Sequence, residues 1–309
     1  MLDVSQLSIS FSRYGKGLHK TTFSPVSDIS LHINAGEIVA VVGSSGSGKS
    51  LLAHALLGLL PRNARVEGKV KFKDTELTDA RMRLVRGREI ALIPQSVAYL
   101  NPLVRVGKQV VRAARLSGQR RQAANHSTDT IFRRYALESR VQDMFPFQVS
   151  GGMARRVLTA TATVGRADLI IADEPTTGLD PAVATKALNH LVELAAEGKG
   201  VLLITHDLEA AVRISHSVVV VYAGKTLEIT SACCFLNDKL LHPYTKALWN
   251  ALPQHNFTAL VGSQPTGDHS ILGCIFSPRC PVSQSSCCSV NPDLQKINGS
   301  LVRCPYAAC

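Results

Sequence analysis

Apolar residues in this chain gather in short runs set apart by turn-forming residues. Residues 4 to 11 and 26 to 42 alternate or cluster β-formers, and the second stretch closes on "EIVAVV", which reads as a buried strand. A glycine-rich turn follows. The next segment, "SLLAHALLGLLP", is apolar around most of the helical circumference and reads as a helix packed inside a layered domain and stopped by Pro61. Short β-like stretches lie near 66 to 73 and 89 to 94, and an Arg- and Ala-rich segment from about 97 to 160 reads as an inserted helical subdomain. Strands return at "ADLIIADEP" (167 to 175), "GVLLITHD" (200 to 207) and "HSVVVVYAG" (216 to 224), with the helix-like "AVATKALNHLVELAAEGK" between the first two. Strands alternating with helices predict an α/β fold whose parallel sheet is covered on both faces. Beyond about 232 the periodicity fades and Cys, Pro, Asn and Ser rise, so 1 to 232 reads as one domain and 233 to 309 as a separate extension. No internal repeat is visible.

Composition changes this picture little. At 309 residues the chain can bury roughly 75% of its unfolded surface. With 45% hydrophobic and 18% charged residues it is an ordinary globular sequence. The N-terminus, "MLDVSQLSIS", lacks a basic segment followed by an apolar run, so the expected place is the cytoplasm. The longest apolar stretches fall short of the roughly 20 residues a membrane crossing needs. The net charge of +11 raises the question of nucleic acid or a lipid surface, and Arg81, Arg83, Arg86, Arg88, Arg112, Arg115, Arg120, Arg121, Arg133 and Arg134 supply much of it. These arginines are dispersed among Leu, Val and Ala with no interleaved aromatics. Solvated helix faces come first, a face toward anionic headgroups second, and no nucleic-acid partner is expected.

The chemistry begins at "GSSGSGKS", Gly43 to Ser50, which matches G-x-x-x-x-G-K-[ST] between a predicted strand and a predicted helix. Gly43, Ser44, Gly46 and Gly48 let the backbone curl so that its N–H groups face phosphate oxygens at a helix N-terminus. Lys49 is expected to reach the β- and γ-phosphates and Ser50 to ligate Mg²⁺. "LIIADE" is an apolar strand ending in two acids at the sheet edge where α/β folds bind ligands. Asp173 is the natural Mg²⁺ holder, and Glu174 suits a general base acting on the attacking water. Between them "QVSGGMARR" (148 to 156) places Ser150, Gly151 and Gly152 where a helix can open toward an anion. Alone, those three residues read as a flexible turn.

Their place about twenty residues before "ADEP" resembles the signature motif of ABC-type ATPases. The remaining motifs follow in that family's order: "IPQS" with Gln95 resembles the Q-loop, "TTGLDP" with Asp180 the D-loop, and "LLITHD" with His206 the H-loop. The resemblance implies a RecA-like P-loop NTPase core with an antiparallel β subdomain, an inserted ABC-type helical subdomain and a cysteine-rich C-terminal extension. It implies ATP and Mg²⁺ as cofactors, with Gln95 beside Ser50 and Asp173 at the metal and His206 at the γ-phosphate. It also implies head-to-tail pairing, each ATP held by the P-loop of one chain and Ser150, Gly151 and Gly152 of the other. Phe11 and Tyr14 both occupy the region where the family stacks an aromatic on adenine. Met153 and Val149 stand where relatives often carry Gln and Leu, while every residue needed for chemistry is intact.

"HPYTKAL" (His242 to Leu248) and "GCIFSPRCP" (273 to 281) resemble the tail of ATP-binding subunits of oligopeptide, dipeptide and nickel importers. That branch implies a second ATP-binding subunit, two membrane permeases, an extracytoplasmic substrate-binding protein and a peripheral position at the cytoplasmic face of the membrane. Gln95 and "SVAYLNPLVRVGKQ" (96 to 109) are the expected transmission contact, and the latter looks closer to nickel or metallophore members than to oligopeptide members. The rivals are a non-transport ABC ATPase acting on nucleic acid or ribosomes, and an exporter subunit.

All eight cysteines lie past the catalytic motifs, at 233, 234, 274, 280, 287, 288, 304 and 309. A reducing compartment disfavours structural disulfides. Cys274, Cys280, Cys287 and Cys304 resemble the set assigned to a [4Fe–4S] cluster in some members of the dipeptide branch, with Cys288 as an alternative third ligand. Zinc and free thiols stay open beside it. Cys233 and Cys234 read as buried packing residues.

Overall fold

The computed structural model describes residues 1–14, 20–265 and 272–307. It opens with a long antiparallel pair, β1 (Leu2–Tyr14) and β2 (Lys20–Ile33), then β3 (Ile38–Val42) and α1 (Lys49–Leu56). β4 (Ala64–Phe72), β5 (Thr75–Glu76), α2 (Asp79–Val85) and β6 (Ile90–Ile93) lead to the helical stretch α3 (Val106–Leu116), α4 (Arg121–Arg134) and α5 (Gly151–Thr163). β7 (Leu169–Asp173), α6 (Pro181–Ala196), β8 (Gly200–Ile204), α7 (Leu208–Ile214), β9 (Ser217–Tyr222) and β10 (Lys225–Ser231) follow. The chain closes with α8 (Ala232–Leu236), α9 (Pro243–Asn250) and a small hairpin, β11 (Gln295–Ile297) and β12 (Ser300–Val302). Two compact units result: Met1–Asn34 with Ile38–Leu77 and Ile204–Cys309, and Ala35–Glu37 with Thr78–Leu203.

In the first unit an antiparallel sheet runs β2-β1-β4-β5. Leu2, Val4, Leu7 and Ile9 of β1 are all buried, although strict alternation fails between Val4 and Leu7. A register shift there, with Gln6 at φ 53, inserts one residue and returns Leu7 and Ile9 to the core side. A second set of strands runs β11-β12-β10-β9-β3. β3 and β9 pair in parallel, Val39 opposite Ser217, and both are apolar and buried throughout most of their length, as a strand covered on both faces requires. The sheet is not purely parallel as expected, because β10 folds back on β9 and β12 on β10, both antiparallel. The residues from 233 on belong to this unit. Buried Tyr222, Tyr244 and Phe276 form one aromatic cluster with ring centroids 4.6 to 5.4 Å apart.

α1 stops at Leu56, short of the Pro61 the apolar pattern suggested. Gly58 takes φ 61 and ends the turn, and Leu59 is left exposed. Cys233 is exposed and Cys234 half-buried, which corrects the reading of both as buried packing residues. α8 is only five residues long and buries Ala232 and Phe235 instead.

In the second unit β8, β7 and β6 are neighbours in that order, with β6 and β7 parallel. The helical stretch has its own core, in which Val106, Val110, Phe132, Val157 and Leu158 meet. That core runs from Leu100 to Val164, a little beyond the boundary at 160 read from composition. Among the described residues no helix is long and apolar enough to cross a membrane.

Candidate active site

The turn between β3 and α1 is shaped by its glycines. A Cβ on Gly43 would strike the carbonyl of Val221, so only glycine lets the loop leave β3 this close to β9. Gly48 precedes the helix at φ 90, and a Cβ there would sit 2.5 Å from Val26. Lys49 is buried and curls back over its own loop, its Nζ donating to Gly43 O at 2.8 Å and Ser44 O at 2.9 Å. The ammonium is thereby held at the mouth of the cradle, where a phosphate oxygen would compete for it. Ser50 lies in the first turn of α1, half-buried. The Ser44 hydroxyl donates to Gln264 Oε1, a contact from the far C-terminal stretch that no sequence signal announced.

His206, in the same unit, sits exposed on the turn between β8 and α7. Thr205 Oγ1 accepts from Asp207 N at 3.0 Å and Asp207 Oδ1 from Ala210 N at 2.9 Å, so the turn bearing the imidazole is pinned on its C-terminal side. Phe11 is half-buried on β1 opposite Phe23 and Ala64. The Tyr14 side chain lies outside the described residues.

In the second unit β7 delivers Asp173 and Glu174, both buried, at its C-terminal end. Glu174 has φ 49, a left-handed backbone that a non-glycine residue adopts at a cost. Thr177 secures it twice, with Oγ1 donating to Glu174 Oε2 at 3.2 Å and N donating to Glu174 O at 3.3 Å. Arg155 Nη1 adds a third bond, to Glu174 O at 3.2 Å. Gln95 is exposed just past β6, and Asp180 is exposed at the start of α6. Ser150 caps α5, its hydroxyl accepting from Met153 N at 3.3 Å. A Cβ on Gly151 or Gly152 would meet nothing within 4 Å. Internal packing does not demand these glycines, whereas close approach of an outside group to the backbone would.

In the first unit Cys274, Cys280, Cys287 and Cys304 line one cavity of ≈190 Å³ with Phe276 and Tyr306. Cys288 is exposed and not among the lining residues. Burial pushes the Cys274, Cys280 and Cys304 thiols up, and repulsion among neighbouring cysteines adds to it. Cys309 lies outside the described residues. Among the described residues no three His, Cys, Asp or Glu side chains stand close enough to share one metal ion.

The "HPYT" and "SPRC" segments prove to be architectural. His242 caps α9, its Nδ1 accepting from Tyr244 N at 3.0 Å, and Pro243 opens the helix. Buried Glu228 accepts from Leu241 N at 3.0 Å and His242 N at 2.9 Å. Arg279 donates to Leu260 O, Val261 O and the Tyr222 hydroxyl, strapping 260–261 to the end of β9.

Residues 26–177 match the ABC transporter family, and residues 228–287 match the C-terminal region of oligopeptide/dipeptide transporters. The dipeptide transport ATP-binding protein of Haemophilus influenzae is 35% identical over 98% of this chain and 94% of its own length. The chain belongs to the ABC transporter ATP-binding proteins. The oligopeptide transport ATP-binding protein of the same organism is 34% identical over 100% of this ABC chain and 98% of its own length. A solved ATP-binding subunit of an ABC transporter superposes with TM-score 0.62 at 26% identity, covering 77% of this chain and 93% of that one. A dimeric ATP-binding cassette in a post-hydrolysis state with ADP and Pi shares the fold, TM-score 0.66 at 24% identity, over 75% of this chain and 99% of that one.

Proposed function

We propose that this ABC chain binds and hydrolyses ATP to power an importer of peptides. The observation that carries the reading is likeness over almost the full chain, tail included, to peptide-transport ATP-binding proteins. Lys49 and the loop Gly43 to Ser50 hold the phosphates. Ser50, Gln95 and Asp173 hold Mg²⁺, and Glu174 takes a proton from the attacking water while His206 contacts the γ-phosphate. Phe11 takes the adenine. A second ATP-binding chain supplies the opposing serine and glycines and receives Ser150, Gly151 and Gly152, with Asp180 beside them. The open space over Gly151 and Gly152 supports that exchange. Two membrane permeases and an extracytoplasmic binding protein complete the machine, which places this chain on the cytoplasmic face of the membrane. Peptide is the cargo class that the relatives' names support over nickel.

The tail carries the finer part of the proposal, a [4Fe–4S] cluster on Cys274, Cys280, Cys287 and Cys304. The donor set is right, four thiols around one cavity. A lone Zn²⁺ would need all four sulfurs drawn to about 2.3 Å from one point. Thiols spread around ≈190 Å³ suit a group of several atoms better.

Uptake of a labelled dipeptide by cells carrying the wild-type chain or Glu174→Gln tests the transport reading. Uptake lost with the variant is expected; uptake unchanged, with the variant shown to be the only copy present, overturns it.

A further inference from the structure

We propose that Arg155 is a positioning residue for the general base Glu174 of its own chain, and so joins the helix that Ser150 opens to the acid that activates water. The inference rests on the ATPase reading above.

Glu174 adopts φ 49, so its carboxylate points where it does only while its surroundings hold a strained backbone. Thr177 belongs to the same turn and moves with Glu174, so its two bonds set local shape alone. Arg155 comes from a different element, nineteen residues earlier in the chain, and its Nη1 reaches Glu174 O at 3.2 Å. That bond is charge-assisted. Burial pulls the guanidinium below its ordinary range, as expected for a cation partly withdrawn from water without a carboxylate.

The neighbouring cations are engaged elsewhere. Arg134 takes the Glu193 and Glu197 carboxylates at 2.9 and 3.3 Å, and Arg156 donates to the carbonyls of Gly152, Tyr135 and Ala136. Arg155 is left with the carbonyl of the residue assigned as base.

The lever is short and stiff. Arg155 lies five residues past Ser150 on α5, a helix anchored in the helical core through Ala154, Val157 and Leu158. A displacement of the Ser150 end therefore moves Arg155, and with it the donor on Glu174 O. In a head-to-tail pair Ser150 faces the partner's nucleotide while Glu174 faces its own. Arg155 thus gives each chain a physical connection between the site it completes and the site it operates.

Arg155 also lines a cavity of ≈570 Å³ with Pro175, Leu179 and Lys186, so shortening its side chain leaves no packed void. The test compares Arg155→Met, Arg155→Gln and Arg155→Lys in the assembled transporter, reading ATPase kcat and KM, with ATP binding by the full-length chain and Tm measured alongside. Arg155→Met is expected to lower kcat about tenfold with KM within about twofold of wild type, and Arg155→Lys to recover most of the loss. Loss of kcat in Arg155→Met with unchanged Tm supports positioning. A wild-type kcat in Arg155→Met overturns it, as does a loss that Arg155→Lys fails to rescue. Should Arg155→Met fold poorly, a normal kcat in Arg155→Gln overturns it equally. Failure of the wild-type chain to bind ATP would instead sink the ATPase reading.

Discussion

Arg303 Nη2 donates to Asp28 Oδ2 at 2.7 Å, closing a contact between the residue that follows β12 and β2. Arg303 is buried, and its other nitrogens reach Thr226 O at 2.8 Å and Pro292 O at 3.0 Å. Removing the guanidinium takes a donor from two carbonyls and leaves the largely covered carboxylate with only a long bond from Ser30 Oγ, 3.5 Å. Arg303→Met should therefore cost about 3 kcal/mol, read from a urea denaturation midpoint. Truncation at 232 should do worse, because Glu228 also loses the N–H groups of Leu241 and His242. Such a chain is expected in the insoluble fraction.

The buried His242 makes stability depend on pH. Burial holds its imidazole down to about 3, against 6.5 when exposed. The unfolded chain therefore binds the extra proton first, so this contribution is complete above pH 6.5 and fades as pH falls toward 3. At pH of about 5 the loss is about 2 kcal/mol. Glu228 acts in the opposite sense: burial raises its pKa, so its contribution is complete below 4.5 and is lost as pH rises through the folded value. His242→Asn keeps an acceptor for Tyr244 N but cannot titrate. Its denaturation midpoint should change less between pH 6.5 and about 5 than that of the wild type.

Lys49 and Glu174 separate binding from chemistry. Lys49 Nζ donates to two carbonyls of the loop that cradles phosphate, so Lys49→Ala should weaken ATP binding at least about tenfold. Glu174→Gln should keep ATP affinity and lower kcat by about 10² to 10⁴. Equilibrium binding of a fluorescent ATP analogue, alongside phosphate release, tells the two apart.

The nucleotide motifs were legible because backbone geometry dictates their residues: a buried strand must be apolar, and a phosphate loop beside Val221 must use glycine. β7, β8 and β9 were equally plain, since strands covered on both faces write themselves as unbroken runs. The bulge at Gln6 breaks strict alternation inside β1, and the ends of that strand lie outside the stretch 4 to 11 that the pattern marked. β11 and β12 escaped notice because strands of three residues owe their existence to pairing with distant partners, Glu228 of β10 with Val302 among them. Arg155 stood inside a recognised motif, but its partner nineteen residues away cannot be read from spacing. Gln264 carried no signal at all. Cys233 and Cys234 sit among apolar letters, yet the five-residue α8 buries Ala232 and Phe235 and leaves Cys233 exposed and Cys234 half-buried.

The cysteine cavity makes the sharpest distinction between adjacent residues. Cys287 lines it and Cys288 is exposed outside it, although either could be the third ligand on spacing alone. Gly273 keeps the strand of chain before Cys274 pressed on this pair, since a Cβ there would collide with the carbonyls of Cys287 and Cys288. Cys274 N in turn donates to Cys287 O at 2.8 Å, fixing which of the two thiols turns inward. Anaerobically purified wild type and Cys288→Ser should therefore be brown, with broad absorbance near roughly 400 nm and bound iron. Cys287→Ser should lose most of both. Equal iron in the two serine variants would show that the assigned thiol is not a ligand. A colourless, iron-free wild type that still hydrolyses ATP would reject the cluster and leave four unligated cysteines around the cavity.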